Sequence, residues 1–243
     1  MIPLLNDYKE KWQVESETSI KPGLAAMKQA LEKLQHPEQS LQVIHIAGTN
    51  GKGSTLTFIE QMARLHGLTV GKFMSPCIKD VHDQIQINET PISAKDMDNV
   101  FQQMAQAGIS ALLTDFELLT CAALLHFKQH KVELVLLEAG MGGREDSTNV
   151  VDPLVSVIPS IALEHTNFLG TTIDQIAAHK AGIIKQKKPV IVGRLPEEAL
   201  AVVSAEAKKK QAPLTVLGKE IDVSLMYAEI VTTTTHRVSL SRA

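Results

Sequence analysis

The chain has 243 residues, of which 44% are hydrophobic, 21% charged and only 4% aromatic. This length supports one large domain, or one domain with part of a second, built around a mostly aliphatic core. The net charge of −3 argues against a basic nucleic-acid footprint and against a polybasic membrane anchor, so neither partner is expected.

In chain order, QVIHIA at 42–47 predicts a buried strand. Residues 53–66 predict a helix, with Leu56, Ile59 and Ala63 on one face. A second strand is expected at 69–74. The alternation QIQIN at 84–88 predicts a half-exposed strand. Helices are expected at 94–107 and 115–130, and strands at 133–137, 154–158 and 189–192. Residues 172–180 and 196–210 read as helical, and 214–217 as a last strand. Alternating strands and helices define an α/β chain with a mostly parallel central sheet covered by helices. Ligands in such sheets bind beyond the carboxyl ends of the strands.

No apolar run approaches the roughly 18 residues of a membrane span, and charge appears early at the N-terminus. Two cysteines, Cys77 and Cys121, cannot build a disulfide framework, which points to a reduced, cytoplasmic setting. From Asp222 the pattern turns Val-, Ile- and Thr-rich. We therefore read 1–221 as the main domain and 222–243 as an atypical tail. That tail is either a C-terminal strand pair or frayed chain, or else the start of a second domain that is missing.

The predicted strand 42–47 runs into Gly48-Thr49-Asn50-Gly51-Lys52-Gly53-Ser54-Thr55 and then a helix. Glycines let the backbone turn and aim N–H groups inward, and the helix N-terminus adds positive potential. Lys52 supplies a full charge, and Ser54 or Thr55 a hydroxyl for phosphate or Mg²⁺. The spacing is G-x-x-G-K-x-S, shorter than the common G-x-x-x-x-G-K-S. The bland alternative is an ordinary strand-to-helix turn with a surface lysine. Glu138 follows the apolar run ELVLL. An acid at a strand end beside a glycine-rich turn suits a hard cation, or is a plain solvated carboxylate.

AGTNGKGST resembles the nucleotide loop of the folylpolyglutamate synthases, relatives of the Mur-type amide ligases. Later segments agree in order. Lys21-Pro22-Gly23-Leu24 looks like the family's early folate-side turn, Ser75-Pro76 its Ser-Pro segment, and Thr114-Asp115-Phe116-Glu117 its Thr-x-Phe-Glu helix start. The stretch from Glu138 through Arg144 and Asp146 to Asn149 is similar to Glu-x-Gly-x-Gly-Gly-Arg-x-Asp-x-Thr-Asn. Glu164-His165-Thr166 and His179-Lys180-Ala181-Gly182-Ile183 resemble two further segments. The likeness covers roughly residues 20–218.

The resemblance implies a P-loop-containing, Mur-ligase-like domain that binds ATP and folate. The implied reaction is ATP-dependent ligation of L-glutamate to a folate carboxylate through an acyl phosphate. It implies Lys52, Lys180 and His165 as catalytic residues, and Ser75, Glu138, His165 and Ser54 around Mg²⁺. It also implies a carbamylated lysine at Lys180. Thr114, Asp146 and Arg144 would face the folate. The substrates would be ATP, folate and L-glutamate, and the protein a monomer. The family's C-terminal glutamate-ligase domain, which would follow residue 221, is expected to be missing here, leaving a chain weakly active or inactive alone.

Departures from the family pattern are Cys77-Ile78 for His-Leu, Gln84 for an arginine, Pro159 for a threonine, Glu164 for Asp and His179 for Glu. The Gln84 change bears on the folate-facing surface, and His179 on the surroundings of Lys180. Three alternatives stand beside the synthase reading. They are a bifunctional dihydrofolate synthase, a degenerate Mg-ATP-binding module, and a P-loop NTPase acting on nucleic acid, which the charge disfavours.

Overall fold

The computed structural model describes residues 2–17, 23–224, 229–232 and 237–239. Lys21 and Pro22 of the early turn lie outside them. An eight-stranded sheet has the order β4-β3-β2-β5-β1-β6-β7-β8. Its strands are β1 (Val43–Ile46), β2 (Val70–Phe73), β3 (Ile85–Ile87), β4 (Thr90–Pro91), β5 (Leu134–Glu138), β6 (Val155–Ile158), β7 (Val190–Val192) and β8 (Leu214–Val216). The six strands from β2 to β8 in that order run parallel, while β3 and β4 add an antiparallel edge. A separate three-stranded antiparallel sheet holds β9 (Ile221–Ser224), β10 (Glu229–Thr232) and β11 (Arg237–Ser239).

Helices cover both faces, as a parallel sheet requires. On β5, Leu134 and Leu136 face one cluster with Ile46, Val70 and Leu56 of helix α3 (Lys52–Leu65). The alternate residues Val135 and Leu137 face the other side, with Val43, Phe73 and the buried helix α5 (Asp115–Gln129). This two-sided burial is why LVLL shows no polar alternation. Gly71 lets Phe127 of α5 lie on β2, since a Cβ there would sit 2.7 Å from its ring.

Three further helices close the first large core: α1 (Leu5–Trp12), α2 (Ala25–Lys33) and α4 (Ala94–Gln106). The sequence reading had no helix at α1 or α2. A second core lies under α7 (Ile173–Lys180) and α8 (Glu197–Lys209), following the short α6 (Thr166–Leu169). A buried ion pair joins Lys72 on β2 to Glu60 on α3. Gln84 is also buried and bonds the Met74 carbonyl, so it belongs to the core rather than to a folate-facing surface.

Candidate active site

The carboxyl ends of β1, β5 and β6 converge on the loop 48–51. Gly51 has φ +80°, the left-handed conformation glycine adopts freely, and α3 begins at Lys52. A Cβ on Gly48 would meet Pro159 at 3.0 Å, so the loop needs glycine to lie against the turn after β6. That turn braces the loop through five bonds, one of them from Ser160 Oγ to Asn50 O at 2.8 Å. Thr49 N donates to Ser160 O at 3.0 Å and Asn50 N to Ser160 Oγ at 2.8 Å. Thr49 Oγ1 donates to Ala162 O and accepts from Ala162 N.

Lys52 folds over this loop. Its Nζ donates to Gly48 O at 2.9 Å and lies 3.8 Å from Glu138 Oε1 at the end of β5. Thr55 Oγ1 donates to Gly51 O, whereas Ser54 is exposed. Glu138 is 4% exposed, and its Oε2 is buried without a partner among the described residues. Burial pushes its carboxyl up to about 7, although the Lys52 charge and the Ser75 backbone N–H pull the other way. A buried carboxylate oxygen without a donor, beside Ser75, fits a hard cation.

Lys180, at the last turn of α7, is 1% exposed and ion-paired to Glu164. Burial holds its ammonium below the usual lysine range, and the Lys52 charge adds to this; Glu164 and Asp146 oppose it. His165 is exposed at the N-cap of α6 with φ 45°.

Beside these residues lies a cavity of about 430 Å³. Phe116, Met141, Phe168 and Leu169 give it apolar walls, and Ser75, Thr114, Asp146 and His179 its polar points. Gly23, from the early turn, also lines it. Thr114 caps α5 in a reciprocal box with Glu117. Asp146 accepts N–H bonds from Met141 at 2.8 Å and Thr148 at 3.0 Å, and burial raises its carboxyl pKa. Thr148 Oγ1 donates to Asp146 and therefore accepts from the buried His45, Nε2 to Oγ1 being 2.8 Å.

The fold thus brings Lys52, Glu138 and Ser75 together, sets Lys180 within their electrostatic reach, and places Thr114 and Asp146 on the cavity. Arg144 is turned elsewhere. Its Nη2 donates to Ala178 O at 2.9 Å, tying the glycine-rich turn to α7. The sequence reading had no signal for Phe116 and Phe168 as cavity walls, nor for the Glu164 and His45 contacts. Among the cavity residues, Gly23, Ser75, Thr114 and Asp146 were marked by their motifs, and His179 as a departure from one.

Residues 46–242 match the Mur ligase middle domain, and the chain belongs to the Mur ligase family. Within it, the similar proteins are folate ligases. The chain is 46% identical over 202 residues to the dihydrofolate synthase/folylpolyglutamate synthase of Bacillus subtilis, covering 80% of this chain and 47% of that protein. Two solved structures superpose with a TM-score of 0.85 and 32% identity. One is an FPGS-AMPPCP-folate complex, with 97% of this chain and 60% of that one covered. The other is Escherichia coli FolC in complex with DHPP and ADP, with 94% and 55% covered. The chain spans about half the length of the curated relatives it matches.

Proposed function

We propose that this chain is the nucleotide- and folate-binding part of an ATP-dependent ligase that adds L-glutamate to the γ-carboxyl of a folate. The reading rests on the braced glycine loop, whose Lys52 faces the buried Glu138 at the edge of a mostly apolar cavity.

A free carboxylate resists amide formation because oxide is a poor leaving group. Transfer of the ATP γ-phosphoryl to it gives an acyl phosphate. The glutamate amine then attacks the acyl carbon, the C–N bond forms, and inorganic phosphate leaves. The chain's part is positioning and charge neutralisation. Lys52 and the loop N–H groups from Gly48 to Thr55 receive the phosphates. Thr114 and Asp146 face the folate, and Arg144 positions the turn that carries Asp146. Glu138 and Ser75, with Ser54 and His165, are assigned to Mg²⁺, which supplies positive charge to the phosphate oxygens when bound.

Carbamylation of Lys180 is part of the reading. Its burial and depressed pKa favour the neutral amine that attacks CO₂, forming an N–C bond and releasing a proton. A carbamate there would stand against the Glu164 carboxylate, so the two anions need a shared cation. Carbon NMR with isotopically labelled bicarbonate tests this: a carbamate signal lost in Lys180→Ala supports it, and no signal overturns it. We further read the protein as a cytoplasmic monomer, in keeping with its unpaired Cys77 and Cys121. Among the described residues, no helix is long and apolar enough to cross a membrane.

Mass spectrometry of a mixture of the chain, Mg-ATP, tetrahydrofolate and glutamate tests the ligase. A folate heavier by one glutamyl residue supports it. A product-free mixture in which Mg-ATP still binds restricts this chain to nucleotide binding. Product from dihydropteroate would add the dihydrofolate synthase activity for which the Bacillus relative is also named.

A further inference from the structure

A second cluster of ligating groups lies away from this site, where the start of α4 meets the end of α5. His126 and His130 are four residues apart, the spacing that puts two side chains on one helix face. Asp96, in the first turn of α4, lies opposite them. One donor atom from each of the three residues lies within 4.8 Å of the others. The two imidazole centroids are 4.2 Å apart. His126 lies 11 residues into α5 from Asp115, roughly 16 Å along the helix axis from the end that borders the cavity. The cluster is therefore not an extension of the Glu138 site.

Each member is held as a ligand would be. His130 Nδ1 lies 3.0 Å from the His126 carbonyl and can only donate there, which leaves the Nε2 lone pair free. This backbone bond is the usual outer support of a metal-bound histidine. Asp96 Oδ2 accepts from Ser93 Oγ at 2.7 Å, which fixes the carboxylate and leaves Oδ1 available. His126 is 3% exposed, and its Nδ1 is buried without a partner among the described residues. An imidazole buried this way is normally hydrogen-bonded.

We infer that Asp96, His126 and His130 form a second metal site, selective for zinc-like late first-row divalent ions over Mg²⁺, that clamps the start of α4 to the end of α5. Two imidazoles and one carboxylate are a borderline-soft set, poorly matched to magnesium. A tetrahedral zinc with bonds of about 2.1 Å holds its donors about 3.4 Å apart, inside the 4.8 Å that bounds their separations here. Three protein donors leave a fourth position for water.

The test uses the untagged chain, stripped with a chelator and titrated with Zn²⁺ by calorimetry, with Co²⁺ absorption reporting coordination geometry. The expected result is one equivalent of Zn²⁺ in the presence of excess Mg²⁺, a tetrahedral Co²⁺ spectrum, and a rise in melting temperature on metal addition. His130→Ala and Asp96→Asn, both away from the deep core, should each weaken Zn²⁺ at least tenfold and abolish that rise. Absence of Zn²⁺ binding, or binding unchanged in both variants, overturns the inference. His126→Gln is a weaker test because its burial couples it to folding, so the decision rests on the other two.

Discussion

Lys52 Nζ lies 3.8 Å from Glu138 Oε1, so the first residue of α3 and the last residue of β5 face one another across the mouth of the glycine loop. The acid is buried and its second oxygen lacks a partner among the described residues, while the lysine also spans the Gly48 carbonyl. Neither arrangement satisfies the pair fully. Phosphate oxygens arriving at the loop would draw Lys52 off its carbonyls, and a cation would meet the idle Glu138 oxygen.

His45 makes the core acid-sensitive. Its Nδ1 is buried without a partner among the described residues, and burial pushes the ring pKa down to about 3, with Lys185 adding to the shift. The unfolded chain binds this proton near pH 6.5 and the folded chain does not, so stability falls as pH drops from 6.5 towards 3. By pH 5 this one group costs about 2 kcal/mol. His45→Gln keeps a donor for Thr148 and should flatten that part of the slope. Chemical denaturation at pH 7 and pH 5 measures it; equal slopes for both proteins would refute the assignment.

The ion pairs separate by burial. Glu60→Ala leaves the Lys72 ammonium, 5% exposed, with no acid, and takes the acceptor from Glu89 N. We expect a loss of about 3–5 kcal/mol. Arg64→Ala removes only the partly exposed pair with Glu89 and should cost less than about 1 kcal/mol. Urea midpoints for the two variants give the comparison, and similar losses would contradict it.

Gly140 supports the cavity wall. A Cβ there would lie 2.6 Å from Phe116 Cζ, so Gly140→Ala should cost about 1–3 kcal/mol through overpacking. Phe116→Leu should recover part of this in the double variant. A double-mutant cycle reads the coupling, and simple additivity would show that the two groups do not compete for space.

Much of the sheet was legible because β1, β2, β5, β6, β7 and β8 are short apolar runs after which the chain turns. The glycine loop was legible because its chemistry is local. Helices α1 and α2 were not, since both are short and their stop signals are weak. Gln13 ends α1 at φ 53°, and Gln35 follows α2 at φ 59°, where glycine is usual. β4 was missed because its turn, Asn88-Glu89 with φ 49° and 65°, carries glutamate where the usual signal is glycine. At the site, Glu164 and Lys180 are 16 residues apart, and the chain from His45 through Thr148 to Asp146 links β1 to the connection between β5 and β6. No sequence period reports such contacts. Arg144 shows the opposite failure: its motif was visible, but its side chain points to Ala178 rather than into the cavity.

The most direct measurement is calorimetric titration of Mg-ATP into this chain and into its Lys52→Ala variant. Lys52 contacts loop carbonyls and the edge of Glu138 rather than the core, so the variant should fold. The account predicts one bound nucleotide for the wild-type chain. It predicts a loss on the order of 10- to 100-fold in affinity without the lysine, the worth of a charge-assisted phosphate contact. Equal affinities in the two proteins, or no binding to the wild-type chain, would contradict it.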